Sequence, residues 1–253
     1  MSAALLDDLC TLAAQAGEAI QEVARAPIAS RTKADATPVT MADDAADRLI
    51  LAGLRLLTPD IEVISEESIS AERLGMSYPE RFWLVDPLDG TKEFLAGNGE
   101  YTVNIALVED GVPVLGVIHA PALGWTYAAS GGRVFRRHGH GAAASIAARP
   151  CPARPLALVS RSHRDATTDD YLRGLGAIDE RSVGSSLKFC LIAAGEGDLY
   201  VRFGRTMEWD TAAGHAILAV AAGSVTTLDG TPLRYGKPGL QNPDFIARGK
   251  PAP

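Results

Sequence analysis

Three groups of carboxylates stand where an apolar run gives way to a turn, and that recurrence is the first chemical signal in the sequence. Glu66 and Glu67 follow Ile61-Glu62-Val63-Ile64, and Asp86-Pro87-Leu88-Asp89-Gly90-Thr91 follows Phe82-Trp83-Leu84-Val85. Asp210 lies between Leu199–Phe203 and an Ala-rich segment. Carboxylates at strand ends can meet over one edge of a sheet although they are far apart along the chain. A ligand set made of oxygen, without His or Cys nearby, suits a hard cation such as Mg²⁺, which takes a few carboxylates, water and phosphate oxygens.

The middle motif carries the most chemistry. Asp86 leaves a dry strand, Pro87 restricts the backbone, and a tight turn is expected to point the Leu88 carbonyl outward. Asp89 returns a second carboxylate, Gly90 lets a ligand approach the main chain, and Thr91 is placed to open a helix whose first N–H groups suit a phosphate. This short segment offers two carboxylates, a carbonyl, a phosphate cradle and a hydroxyl, a set that suits metal-assisted phosphoryl transfer to water. Alone, each group has a plainer use: Asp-Gly as a turn, Glu66-Glu67 as a solvated strand end, Asp210 or Thr40 with Asp43 as a helix cap. His119, His138, His140, His163 and His215 show no metal-type spacing.

These residues need elements to position them. Leu5, Leu9, Leu12, Ala16, Ile20 and Val23 recur at helical steps, and Pro27 ends the pattern. A second helix is expected after Thr40-Met41-Ala42-Asp43, with Ala46, Ile50, Leu54 and Leu57 as its stripe and Pro59 as its stop. Phe82–Val85 reads as a strand buried on both faces, and Thr102–Leu107 as a half-buried one with Val103, Ile105 and Leu107 inward. Asp110-Gly111 and Ser130-Gly131-Gly132 turn the chain into an antiparallel meander packed on the two helices. The Ala-, Gly- and Pro-rich stretch Gly139–Pro155 is the expected boundary. Beyond it Leu156–Ser160, Ile178–Val183, Leu199–Phe203 and Val225–Thr227 alternate with helices near Asp169–Leu175, Ser186–Ala194 and Thr211–Ala222, an α/β pattern.

Composition narrows the function. The chain has 253 residues, and its 24 basic and 31 acidic side chains leave a formal charge of −7, which disfavours general nucleic-acid binding. A small anionic substrate stays compatible, because bound cations reverse the local sign. No secretory signal and no transmembrane segment are read. Cys10, Cys151 and Cys190 form no CxxC pair, which points to a reducing cytoplasm, and Cys190 reads as a small buried hydrophobe.

Val63–Glu67, Trp83–Phe94 and Trp209–His215 resemble the three signatures of the inositol monophosphatase superfamily. The Lys92-Glu93-Phe94 continuation is similar to the CysQ-type 3′(2′),5′-bisphosphate nucleotidases within it. Lys33-Ala34-Asp35 with Pro38-Val39-Thr40, Asn98–Asn104, Ser160-Arg161-Ser162-His163 and Gly184–Phe189 add to that likeness; Arg133–Pro155 carries none of it. The resemblance implies a layered α-β-α-β-α sugar-phosphatase-like fold, mixing α+β and α/β character. It has an antiparallel N-terminal sheet (residues 1–150, most metal ligands) and a smaller C-terminal α/β part (residues 151–253, with Asp210 and the specificity residues).

The resemblance also implies roles. Glu66, Asp86 and the Leu88 carbonyl would hold one Mg²⁺; Asp86, Asp89 and Asp210 a second; Asp43 stands by a weaker third. Thr91, paired with Glu66, would orient and deprotonate the attacking water, so Glu66, Asp86 and Thr91 form the catalytic set. Glu66, Leu88, Asp89, Gly90, Thr91 and Asp210 would face the substrate, the Gly90-Thr91 amides on the departing phosphate. His163, Ser185, Lys188 and Arg202 join them, and Arg161 and Arg205 are further cationic candidates. The implied reaction converts 3′-phosphoadenosine 5′-phosphate, a by-product of sulfate assimilation, into AMP and phosphate, with Li⁺ competing for a metal position. An inositol or sugar phosphate monophosphatase, and a non-catalytic regulatory or RNA-associated binding protein, are the other readings. Pairing as a homodimer and peripheral attachment to the inner membrane stay open.

Overall fold

The computed structural model describes residues 3–25, 30–32 and 38–252, with backbone only for 30–32 and 38–40. Pro27 and Lys33-Ala34-Asp35 lie outside the described residues, and so does the Thr40 side chain. Helix α1 (Ala3–Ala24) and strands β1 (Ser30–Thr32) and β2 (Pro38–Thr40) lead into α2 (Met41–Leu57). Then follow β3 (Glu62–Ser65), α3 (Ala71–Leu74), β4 (Arg81–Asp89), α4 (Thr91–Leu95), β5 (Thr102–Glu109), β6 (Val112–Ala120), β7 (Trp125–Ser130), β8 (Arg133–His138) and β9 (Ala144–Ser145). The rest comprises β10 (Leu156–Ser160), α5 (Ala166–Gly174), β11 (Asp179–Val183), α6 (Leu187–Ala193), β12 (Leu199–Arg202), α7 (Glu208–Val220), β13 (Ser224–Thr227) and β14 (Phe245–Arg248).

Strands β3 to β9 form a seven-stranded sheet in chain order, parallel only between β3 and β4. The second sheet has the order β11-β10-β12-β14-β13, parallel where β10 meets β11 and β12 and antiparallel around β14. Helices α1 and α2 cover one face of the first sheet, α6 and α7 fill the space between the sheets, and α5 packs outside the second. This is the layered α-β-α-β-α arrangement expected.

Strand β4 shows how the layers are built. Trp83 and Val85 point into the core under α1 and α2, whereas Phe82 and Leu84 point into the core shared with α6 and α7. Full burial of such side chains contributes roughly 1.5–3 kcal/mol each. Leu6, Leu9, Leu12, Ala13, Ala16 and Ile20 carry the buried stripe of α1, so Leu9, Leu12, Ala16 and Ile20 face the core as expected while Leu5 and Val23 sit at its margin.

Two expectations need correction. Strand β5 is buried on both faces rather than half-buried, because α7 covers the side that carries Thr102, Asn104 and Ala106. The Asp86–Asp89 segment is no tight turn either. It continues β4, and its pairing with β5 shifts between Asp86↔Asn104 and Asp89↔Thr102, a bulge that re-aims side chains. Also not expected from the sequence are β1, β2, β9, the short α3 and β14, which lies between β12 and β13 in the second sheet. Three cysteines are free, with Cys10 and Cys190 buried and Cys151 exposed.

Candidate active site

The ends of β3 and β4 and the start of α7 meet at one cleft. Glu66 leaves β3, with its N–H on the Val85 carbonyl at 3.1 Å. Asp86 lies in the bulged end of β4, where one carboxylate oxygen accepts the Leu88 N–H at 3.1 Å. Asp210 sits in the first turn of α7, not at its cap, and accepts the Met207 N–H at 2.8 Å. Next to it, buried Glu208 accepts the N–H groups of Gly236 (2.6 Å) and Lys237 (3.0 Å), which anchors this helix start. Carboxylate oxygens of Glu66, Asp86 and Asp210 lie within 4.8 Å of one another.

Such a group is costly without countercharge. Burial, then Glu66, Asp89 and Asp210, push the Asp86 carboxyl well above its usual range, and burial with Asp89 and Glu66 does the same to Asp210. Burial raises Asp89 to about 6, against the opposing pull of Lys188, the Ser186 N–H and Asn104. Converging oxygen ligands that resist joint ionisation fit a hard divalent cation, which would supply the missing charge.

Asp89 is tied to the second half of the chain. Its Oδ2 accepts the Ser186 N–H at 2.6 Å and the Asn104 amide at 3.4 Å, while Ser186 Oγ donates to Asn104 Oδ1 at 2.7 Å and meets Thr102 Oγ1 at 2.8 Å. Neither Asn104 nor Ser186 was singled out from the sequence, although both fall inside the matching motifs. Their roles follow from the β4–β5 register and the packing of α6, which no local pattern encodes. The same holds for Asp47 of α2, whose buried carboxylate accepts the Ser65 hydroxyl just before Glu66.

Thr91 opens α4 as expected, after Gly90 at φ +92°, a conformation that glycine adopts freely. Its hydroxyl lies 3.3 Å from Asp43 Oδ1 and 3.5 Å from the Leu88 carbonyl. The hydroxyl thus meets Asp43, a buried carboxylate that the first turn of α2 brings beside the start of α4.

The opposite wall of the cleft is cationic. Lys188 is buried in α6, donates to the Val183 carbonyl (3.2 Å) and the Ser185 carbonyl (2.5 Å), and lies 4.8 Å above the Tyr200 ring. Burial lowers its pKa to about 8. Arg202 donates to the His163 carbonyl at 2.8 Å and the Arg205 carbonyl at 3.2 Å, and its buried Nε has no partner. Burial and the cations of Lys92 and Arg202 lower His163 to about 4, so its ring is neutral. Ser185 holds a positive φ of 46° at the turn into α6.

Glu66, Asp86, Leu88, Asp89, Gly90, Thr91, Asp210, His163, Ser185, Lys188, Arg202 and Arg205 all line this cleft. Asp43 stands behind Thr91. Arg161 does not join them: its guanidinium is committed to Glu100 at 2.7 and 2.9 Å. His119 and His215 are bonded to Thr126 and Tyr235, away from the carboxylates.

This geometry meets the comparison with known proteins. Residues 3–248 match the inositol monophosphatase family. The chain belongs to that family. It is 47% identical over 244 residues to the 3′(2′),5′-bisphosphate nucleotidase CysQ of Escherichia coli, covering 95% of this chain and 98% of that protein. With its namesake from Salmonella typhimurium the identity is 49% over 244 residues, with the same coverage. Among solved structures, CysQ from Bacteroides thetaiotaomicron superposes with a TM-score of 0.81 at 39% identity, covering 94% of each chain. The Thermotoga maritima family member gives 0.78 at 27% identity, over 96% of this chain and 91% of that one. Among the described residues, no helix is long and apolar enough to cross a membrane.

Proposed function

We propose that the chain is a Mg²⁺-dependent phosphatase that removes the 3′-phosphate of 3′-phosphoadenosine 5′-phosphate, giving AMP and phosphate and clearing a by-product of sulfate assimilation. The observation that carries this reading is the convergence of Glu66, Asp86 and Asp210 within 4.8 Å, in a cleft whose other wall bears Lys188 and Arg202. The nucleotidase names of relatives at 47% and 49% identity support the choice of substrate.

Glu66, Asp86 and the Leu88 carbonyl would hold one Mg²⁺, and Asp86, Asp89 and Asp210 a second; Asp43 stands by a weaker third position. When bound, the cations acidify a water and stabilise charge on the transferring phosphoryl group and the leaving oxygen. Glu66 orients the attacking water. Thr91 Oγ1 takes a proton from it while passing its own to Asp43. The water oxygen bonds to phosphorus, the bond from phosphorus to the ribose 3′ oxygen breaks, and that oxygen is protonated from solvent. The Gly90 and Thr91 amides receive the departing phosphate. Lys188 and Arg202, which both line the cleft, bind the phosphate that is kept. His163 and Ser185 serve the nucleoside.

The test is Mg²⁺-dependent phosphate release from 3′-phosphoadenosine 5′-phosphate, inositol 1-phosphate and fructose 1,6-bisphosphate. The nucleotide is expected to give the highest kcat/KM. A preference of about tenfold for either other substrate, roughly 1.4 kcal/mol in transition-state stabilisation, would move the assignment to a monophosphatase. Turnover of none would favour a binding role.

A further inference from the structure

The cationic wall of the cleft is held from across the cleft. The loop after β10 supplies three consecutive residues, and each is bound by the segment that begins at α4. Arg161 is paired with Glu100 through both carboxylate oxygens, at 2.7 and 2.9 Å. The Ser162 hydroxyl donates to buried Glu93. His163 Nε2 lies 3.1 Å from Lys92 Nζ. The turn before α6 is held by the same segment, since the Gly184 N–H donates to Glu100 at 2.7 Å. A Cβ on Gly184 would come within 2.7 Å of both Glu93 Cγ and the Glu100 carbonyl, so the two segments touch with no room between them.

The Lys92 contact fixes more than a distance. An ammonium can only donate, so His163 Nε2 must accept, and the ring proton is confined to Nδ1. Arg202 holds the His163 carbonyl at 2.8 Å, which leaves the ring itself oriented chiefly by Lys92.

We infer that the Lys92–Glu100 segment is a clamp that sets the specificity wall, with Lys92 as a positioning residue that orients His163 toward the nucleoside part of the substrate. This rests on the nucleotidase reading above. Lys92 is exposed, so its replacement leaves the cores intact. Its influence passes through His163 and not through the carboxylate cluster.

The experiment compares wild type, Lys92→Met, His163→Ala and the double variant, with 3′-phosphoadenosine 5′-phosphate and inositol 1-phosphate as substrates and ¹⁵N NMR of the His163 ring. Lys92→Met should raise KM for the nucleotide about tenfold with kcat within about twofold, leave inositol 1-phosphate turnover unchanged, and add nothing to His163→Ala. In wild type the spectrum should show the Nδ1–H tautomer, and Lys92→Met should shift it toward a mixture. Losses that add in the double variant, or a kcat that falls alike for both substrates, would overturn the clamp. If wild type does not turn over the nucleotide, the functional reading fails. The clamp is then judged on the tautomer, and a His163 signal indifferent to Lys92→Met rejects it.

Discussion

Thr91 Oγ1 sits 3.3 Å from Asp43 Oδ1, joining the first turn of α4 to the first turn of α2. The two residues are 48 positions apart in the chain, and in the proposed mechanism this pair would carry the proton of the attacking water. Thr91→Ala and Asp43→Asn should each lower kcat about 10²- to 10⁴-fold, the usual contribution of a positioned acid–base group, while Mg²⁺ still binds. Thr91→Ser keeps the hydroxyl and should retain most activity. Steady-state kinetics with calorimetric Mg²⁺ titration checks this; near-normal kcat in Thr91→Ala would remove the hydroxyl from the mechanism.

The carboxylate cluster predicts an unusual pH dependence in the metal-free protein. Asp89 is raised to about 6, and Asp86 and Asp210 are held well above their usual value of 3.8. The folded state thus binds these protons more tightly than the unfolded chain, so their contribution is fully present below the ordinary carboxylate pKa and is lost as pH rises through the folded values. In EDTA, Asp86→Asn should melt above wild type at pH 8, with the gap closing toward pH 4. Saturating Mg²⁺ at pH 8 should raise the wild-type Tm by about 5–10 °C. Thermal melts that show Asp86→Asn destabilised at pH 8 in EDTA would contradict the electrostatic reading.

Lys188 carries a separate pH signal. Its pKa is depressed from 10.5 to about 8, so its charge is lost earlier than that of an exposed lysine. If it grips the retained phosphate, KM for the nucleotide should climb above pH 8 while kcat changes less. In Lys188→Met this rise should vanish from an already elevated KM. A KM profile that keeps its upturn in the variant would assign the titration to another group.

Packing between the first sheet and α7 gives a stability prediction independent of chemistry. A Cβ on Gly116 of β6 would lie 2.3 Å from the Ala213 carbonyl oxygen of α7, a collision with backbone. Gly116→Ala should therefore cost at least about 1–3 kcal/mol through overpacking, read as a lower denaturant midpoint. Because Asp210 rides on the same helix, Mg²⁺ affinity should weaken too. Unchanged stability would mean that α7 sits farther from β6.

What could be read from the sequence follows a physical boundary. Helix stripes such as Ala46, Ile50 and Leu54, and the two-sided apolar run Phe82–Val85, are local patterns, and they identified elements and core faces. The carboxylates were legible because metal chemistry restricts their types and places them at strand ends. The bulge at Asp86–Asp89 was missed because Pro-Leu-Asp-Gly reads as a turn when the partner strand is unknown. Burial of Asn104 and of β14 depends on α7 and on neighbouring strands, which tertiary packing decides. The Thr91–Asp43 and Asp89–Ser186 contacts join elements that only the folded chain brings together, so residue types could nominate the members but not the pairs.

The central claim is that Asp86, at the meeting point of the cluster, holds the metal that hydrolysis needs. Phosphate release from 3′-phosphoadenosine 5′-phosphate, measured with and without Mg²⁺ for wild type and Asp86→Asn, tests it directly. The account predicts Mg²⁺-dependent turnover by wild type and a loss of about a thousandfold or more in a folded Asp86→Asn, equivalent to roughly 4 kcal/mol of transition-state stabilisation. Turnover by Asp86→Asn near the wild-type rate would place the catalytic metal elsewhere and contradict it.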